Sequence, residues 1–161
     1  MKVFFDTEFT SLVASDVHLI SAGFISEDGQ HEFYEEVSNF PRHSCSQFVK
    51  EVVIPLLDAP EPKRCALPIF AGHLIDWFNS FDEPIHLITD YSGDWYLIQA
   101  ALGDLVNMLK HPLKCSAVYV GANTADVEEH FWSRYENERK QHHAMYDARC
   151  LRECWLADVP E

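Results

Sequence analysis

The stretch Lys2-Val3-Phe4-Phe5-Asp6-Thr7-Glu8-Phe9-Thr10 decides how the rest of the chain is read. Its Val and Phe residues predict a buried strand over residues 2–9. Asp6 and Glu8 stand two apart at its end, so period-2 geometry points both side chains to one face. Such a pair is either a strand running out into solvent or two acids sharing a site, and the pair alone does not decide between them.

Working outward, residues 18–26 predict a second strand. Asp28-Gly29 is a two-residue hairpin signal, because Gly accepts positive φ cheaply, and residues 30–37 return as a third, antiparallel strand. From Ser44 the period changes. Phe48, Val49, Val52 and Val53 are spaced for a helix, with Ser44 and Gln47 as a capping box and Pro55 as its stop. Residues 58–66 read as loop, 68–81 as a helix and 85–89 as a short strand ending at Asp90. Ser92 is placed to cap a helix reaching Leu109; a strand over 117–121 and helices near 124–140 and 143–156 complete the chain. A meander followed by alternating strands and helices predicts an α/β fold, with a mixed five-stranded sheet flanked by helices in one domain spanning 1–161. Ligands are then expected at the carboxyl ends of the parallel strands.

Composition excludes several classes. The 161 residues carry 12 Lys+Arg against 26 Asp+Glu, a formal charge of −14, with 47% hydrophobic residues. That is too apolar for a disordered acidic tail, and no apolar run approaches the ~18 residues of a membrane span. The start reaches Asp6 too early for the apolar stretch of a secretory signal, so a cytoplasmic protein is expected. Cysteines at 45, 65, 115, 150 and 154, with no C-x-x-C pair, fit reduced thiols better than a disulfide framework. An acidic surface repels a phosphate backbone on average.

Two further acids sit where acids are costly. Asp94 falls inside the apolar arc of Leu97, Ile98, Ala101, Leu102, Leu105 and Leu109. Asp147 falls within the stripe of Ala144, Ala148, Leu151, Cys154 and Trp155. Three segments therefore aim carboxylates at one end of one sheet, where two such charges ~4 Å apart repel by about 4 kcal/mol at an effective dielectric of 20. Divalent cations with oxygen ligands are the common remedy, and a metal pair serves phosphoryl-transfer chemistry. In HHAMYDAR, His142 lies about 140° from Asp147 on a helical wheel. It reaches a common site only from the loop or cap before the last helix. There an imidazole of ordinary pKa near 6.5 takes a proton from water while the carboxylates serve as ligands.

With these residues assembled, the chain resembles the DEDDh 3′–5′ exonucleases of the RNase H-like superfamily, and more closely their small single-domain, exoribonuclease-like bacterial members. The first motif of that family, approximately D-x-E-T-T-G-L, is followed by Asp6-Thr7-Glu8-Phe9-Thr10-Ser11-Leu12, with Phe9 and Ser11 as departures. The second pairs an Asn with an Asp four residues on. Asp90 and Asp94 keep the spacing, with Asp at the Asn position. The third, H-x₄-D, is matched by His142 and Asp147; His143 is one residue short of it and is the alternative base. The resemblance implies that Asp6, Glu8, Asp94 and Asp147 hold two Mg²⁺ or Mn²⁺ ions and that His142 activates the nucleophile. It further implies that Phe9 and Leu12 contact the terminal bases, that Asp90 stands at a substrate-binding position, and that 3′ ends of single-stranded RNA or DNA are cut to nucleoside 5′-monophosphates by a homodimer.

Arg134, Arg139, Lys140, Arg149 and Arg152 in the last two helices are expected to offer positive charge to a departing strand. The Trp77/Phe78/Phe81 cluster reads as core packing before it reads as a dimer interface, and Trp95 and Tyr96 as helix packing before base platforms. Two rival functions are weighed. A haloacid-dehalogenase-type phosphatase is suggested by Asp6-Thr7-Glu8-Phe9-Thr10, but neither Lys110 nor Lys114 has the context that family needs. A non-cleaving nuclease-like binding module is permitted by Asp90.

Overall fold

The computed structural model describes residues 1–12, 16–118, 124–135 and 140–158. β1 (Lys2–Phe9), β2 (Leu19–Ser26) and β3 (Glu32–Val37) form the expected meander, followed by β4 (Arg64–Cys65), α1 (Leu67–Asn79), β5 (His86–Thr89), α2 (Ser92–Leu102), β6 (Lys114–Ala117), α3 (Ala125–Ser133) and α4 (Ala144–Asp158). The sheet runs β4-β3-β2-β1-β5-β6, with β5 and β6 parallel to β1 and β4 parallel to β3. The fold class is as expected, but the sheet has six strands rather than five. The extra one, β4, is a two-residue addition to the β3 edge inside the stretch read as loop, too short to leave a periodic signal.

Alternation along β1 divides the core. Val3 and Phe5 pack with Phe24, Phe70, Leu74 and Leu87 under α1 and α2, whereas Phe4 packs with Ile25, Met145, Ala148 and Leu151 under α4. Burying each such side chain contributes about 1.5–3 kcal/mol. Trp77, Phe78 and Phe81 belong to the first cluster, so the core-packing reading holds. Trp95 packs against it too, while Tyr96 is exposed. Gly23, opposite Asp6 in the β1–β2 register, is where α4 lies down on the sheet. A Cβ there would meet the Met145 backbone at 2.5 Å, so only glycine permits the approach that carries Asp147 over β1.

Several boundaries differ from expectation for local reasons. α2 stops at Leu102 because Gly103 adopts φ +49°, and a 3₁₀ turn, Gly103–Met108, replaces the last turns. Ser92 does not cap it; the cap position is Tyr91, with no side-chain bond. The helix expected from Ser44 is a wide turn of π geometry, Val49–Val53. The Ser46 hydroxyl accepts the Val49 amide at 3.2 Å, while Ser44 bonds Asp16 rather than capping a helix. Most of the strand expected over 117–121, and residues 136–139 with Arg139, lie outside the described residues. No described helix is long and apolar enough to cross a membrane.

Candidate metal centre

β1 and β5 are parallel neighbours, so Asp6 and Glu8 on β1 stand beside Asp90, the first residue after β5. α2 brings Asp94 to the same place from one side of the sheet, and α4 brings Asp147 from the other. Ligand oxygens of Asp6, Asp90 and Asp94 all lie within 4.8 Å of one another, and so do those of Asp6, Glu8 and Asp147. Asp6 belongs to both groups. Asp94 is buried and held by two hydroxyls: Thr7 donates to one oxygen at 2.6 Å and Thr89 to the other at 2.7 Å. Both threonines face the α2 side, so the residue between Asp6 and Glu8 orients the acid on α2 while its neighbours face α4.

None of the ion pairs among the described residues involves any of these five acids. Burial and then the neighbouring charges of Asp147, Asp94, Glu8 and Asp90 push the Asp6 carboxyl well above its ordinary range. Burial raises Glu8 to about 8, helped by Asp147 and Asp94. Burial and Asp90 raise Asp147 to about 8 against backbone hydrogen bonds from His142 and His143. Asp94 reaches only about 6, because the threonine hydroxyls stabilise its anion against burial. A set of acids that repel one another and lack an internal counter-charge, all offering oxygen, suits hard divalent cations.

Asp6, Glu8, Asp90 and Asp147 line a cleft of about 830 Å³ whose walls also include Phe9, Leu12, Phe48, Trp132 and His142, with Asp94 buried behind them. Phe9 stacks on Tyr91 with centroids 6.1 Å apart, and Leu12 is 78% exposed at the rim. The two histidines separate cleanly. His142 occupies the turn before α4 at φ +68°, a conformation non-glycine residues rarely adopt, and its ring lies in the cleft edge-on to Phe48 at 5.0 Å. Burial lowers its pKa, so the ring is neutral near pH 7. His143 is buried outside the cleft and stacked on Tyr34. Its Nδ1 accepts the Met145 amide at 3.3 Å, which leaves Nε2 to donate to Asp58 at 3.1 Å. It fastens the start of α4.

The described basic residues do not form a free track. Arg149 grips Glu32 at 2.7 and 2.8 Å, Arg152 caps carbonyls of Ser26 and Glu27, Arg134 pairs with Glu153, and Lys140 with Asp58. Arg149 and Arg152 tie α4 to the β2–β3 hairpin. Sequence reasoning missed Thr7, Thr89 and Glu128. Glu128 reaches the cleft from α3 and its charge adds to the rise at Asp147. A threonine flanked by Asp6 and Glu8, and another one residue before Asp90, were the available signals.

No protein-family model matches the sequence, and no curated protein matches it. Solved structures do. The structure of Pop2p from S. pombe in its Mg²⁺- and Mn²⁺-bound form matches with a TM-score of 0.62 at 15% identity, over 96% of this chain and 81% of that one. At that identity the likeness establishes the architecture: the chain has an RNase H-like fold, a six-stranded mixed sheet flanked by helices.

Proposed function

We propose that the chain is a metal-dependent nuclease that removes nucleotides from the 3′ end of single-stranded RNA or DNA, RNA being the preferred substrate. The observation that carries this reading is the double membership of Asp6, which lies in both carboxylate groups. One group would hold one cation and the other a second, with Asp6 between them. The fold shared with a protein solved with Mg²⁺ and Mn²⁺ bound supports the same choice of ions.

Divalent cations held there supply Lewis-acid polarisation of a phosphate and a water of lowered pKa. The chain's own residues do the rest. Thr7 and Thr89 fix Asp94 with its anion stabilised, so its ligand geometry is set before any cation arrives. His142, neutral and in the cleft, accepts the proton of the attacking water at a ring nitrogen. Phe9 and Leu12 at the rim offer an apolar contact to the terminal bases, worth about 1–3 kcal/mol per stacked base. Lys110, paired with Asp82 at 3.8 Å, and Lys114 do not line the cleft, so the phosphatase alternative gains no lysine. A cytoplasmic location and a homodimer belong to the same proposal; with Phe78 and Phe81 buried, the dimer would need another surface.

The test uses 5′-labelled single strands of RNA and DNA with Mg²⁺ or Mn²⁺. Stepwise shortening from the 3′ end, abolished by chelator, is expected. His142→Ala should cut turnover by about 10²–10⁴-fold with Mn²⁺ binding unchanged. Failure of both metals to support shortening sinks the nuclease reading, and loss of Mn²⁺ binding in His142→Ala sinks the base role alone.

A further inference from the structure

Away from the acidic cleft, β3, β4 and α1 bring a second set of ligating groups together. Glu35 lies on the face of β3 that packs under α1, between Phe33 and Val37, where a carboxylate is costly. Its side chain is 10% exposed, and among the described residues neither a Lys nor an Arg pairs with it; Arg64 pairs with Glu36 on the opposite face. Its partners are the two other groups. His73 Nδ1 lies 3.0 Å from Oε1 and 3.1 Å from Oε2, and the Cys65 thiol donates to Oε2 at 3.5 Å.

We propose that Glu35, Cys65 and His73 form a second metal site, selective for a thiolate-seeking divalent cation of the Zn²⁺ class. One nitrogen, one sulfur and one oxygen ligand, all within 4.8 Å of one another, are the donor set that Zn²⁺ takes and Mg²⁺ does not. The spacing fits. Zn–S near 2.3 Å and Zn–N or Zn–O near 2.05 Å imply tetrahedral edges of roughly 3.6 Å for sulfur to oxygen and 3.4 Å for nitrogen to oxygen. The corresponding distances are 3.5 Å and 3.0–3.1 Å, so these two edges need change by only a few tenths of an ångström, and the sulfur-to-nitrogen edge lies within 4.8 Å. Binding breaks the Cys65 S–H bond and forms a metal–sulfur bond, and the proton leaves to solvent. Because the thiol must lose its proton to ligate, occupancy increases with pH. The His73 side chain is 42% exposed, so the three ligands are within reach of solvent, from which a water would complete a four-coordinate shell. The ion ties the edge strand β4 to β3 and α1, a role independent of the nuclease reading.

The experiment titrates Co²⁺, a spectroscopic stand-in for Zn²⁺, into reduced full-length protein carrying Asp6→Asn to weaken the acidic centre. The site requires a near-ultraviolet thiolate-to-cobalt charge-transfer band saturating at one equivalent and displaced by Zn²⁺ but not by excess Mg²⁺. Cys65→Ser, nearly isosteric, should abolish the band, and His73→Gln at the half-exposed position should weaken Co²⁺ binding at least tenfold. Absence of the band, or its survival in Cys65→Ser, overturns the proposal; the second outcome would assign the thiolate to another of the cysteines. In otherwise unsubstituted protein, metal-dependent strand shortening should be the same with and without Cys65→Ser.

Discussion

Two groups of acids in this protein stand in contrast. Outside the cleft several are matched by arginines: Glu36, 1% exposed, receives Arg64, the Ala59 amide and the Tyr34 hydroxyl, while Glu32 is gripped by Arg149 and Glu153 by Arg134. At the cleft, Asp6, Glu8, Asp90 and Asp147, with Asp94 buried beside them, crowd together with none of the described bases paired to them, and their carboxyls are raised above the ordinary range. The same chain that supplies an arginine to a buried glutamate on β3 supplies none to the acids at the end of β1. The missing counter-charge is therefore expected from outside, as cations.

Substitutions should separate the populations. Asp6→Asn, which removes the acid common to both groups, should lower metal-dependent turnover by roughly 10³-fold or more and raise metal-free stability by about 1 kcal/mol, seen by kinetics and urea unfolding. Gly23→Ala, with no acid changed, should cost about 3 kcal/mol through the clash with the Met145 backbone. It should also lower turnover by shifting Asp147, whereas unchanged activity would detach the α4 seat from the site. Glu36→Gln breaks a matched acid and should destabilise by about 2 kcal/mol, leaving Mn²⁺ affinity intact. Thr89→Val leaves all five acids in place but frees one oxygen of Asp94; calorimetry should report Mn²⁺ affinity down about tenfold.

The smallest effect is on pH. Glu8 and Asp147 are raised to about 8 in the fold against about 4 unfolded, so the folded state holds more protons between those values. Stability present at low pH is thus lost as pH rises through about 8. His142 and His143, lowered by burial, act in the opposite sense only below their ordinary value near 6.5. Between pH 6.5 and 8.5 the metal-free protein should therefore lose stability, seen as a fall in Tm. Saturating Mn²⁺ should remove the loss, and a matched-acid variant such as Glu36→Gln should keep the same slope.

What the sequence disclosed, and what it did not, follows from range. Asp6 and Glu8 on one strand face, Asp94 and Asp147 inside apolar helical arcs and the Asp28-Gly29 turn are local patterns, and local geometry carries them into the fold. His142 was placed by the same logic, since a wheel position wrong for a helix left only the turn before it. The Thr7–Asp94 bond spans 87 residues and the His73–Glu35 contact 38, so no periodicity marks either. The arginines misled because proximity in sequence to His142 says nothing of Glu32, 117 residues from Arg149, which holds that side chain away. The early end of α2 turned on the φ of one residue, Gly103, within an otherwise continuous apolar pattern.

Titration of Mn²⁺ into the protein at pH 7.5, followed by electron paramagnetic resonance of the free ion, tests the metal centre most directly. Two bound Mn²⁺ per chain, falling to one or none in Asp6→Asn and unchanged in Glu36→Gln, are the predicted result. A wild-type chain that binds no Mn²⁺, or that binds it equally with Asn at position 6, would contradict the account.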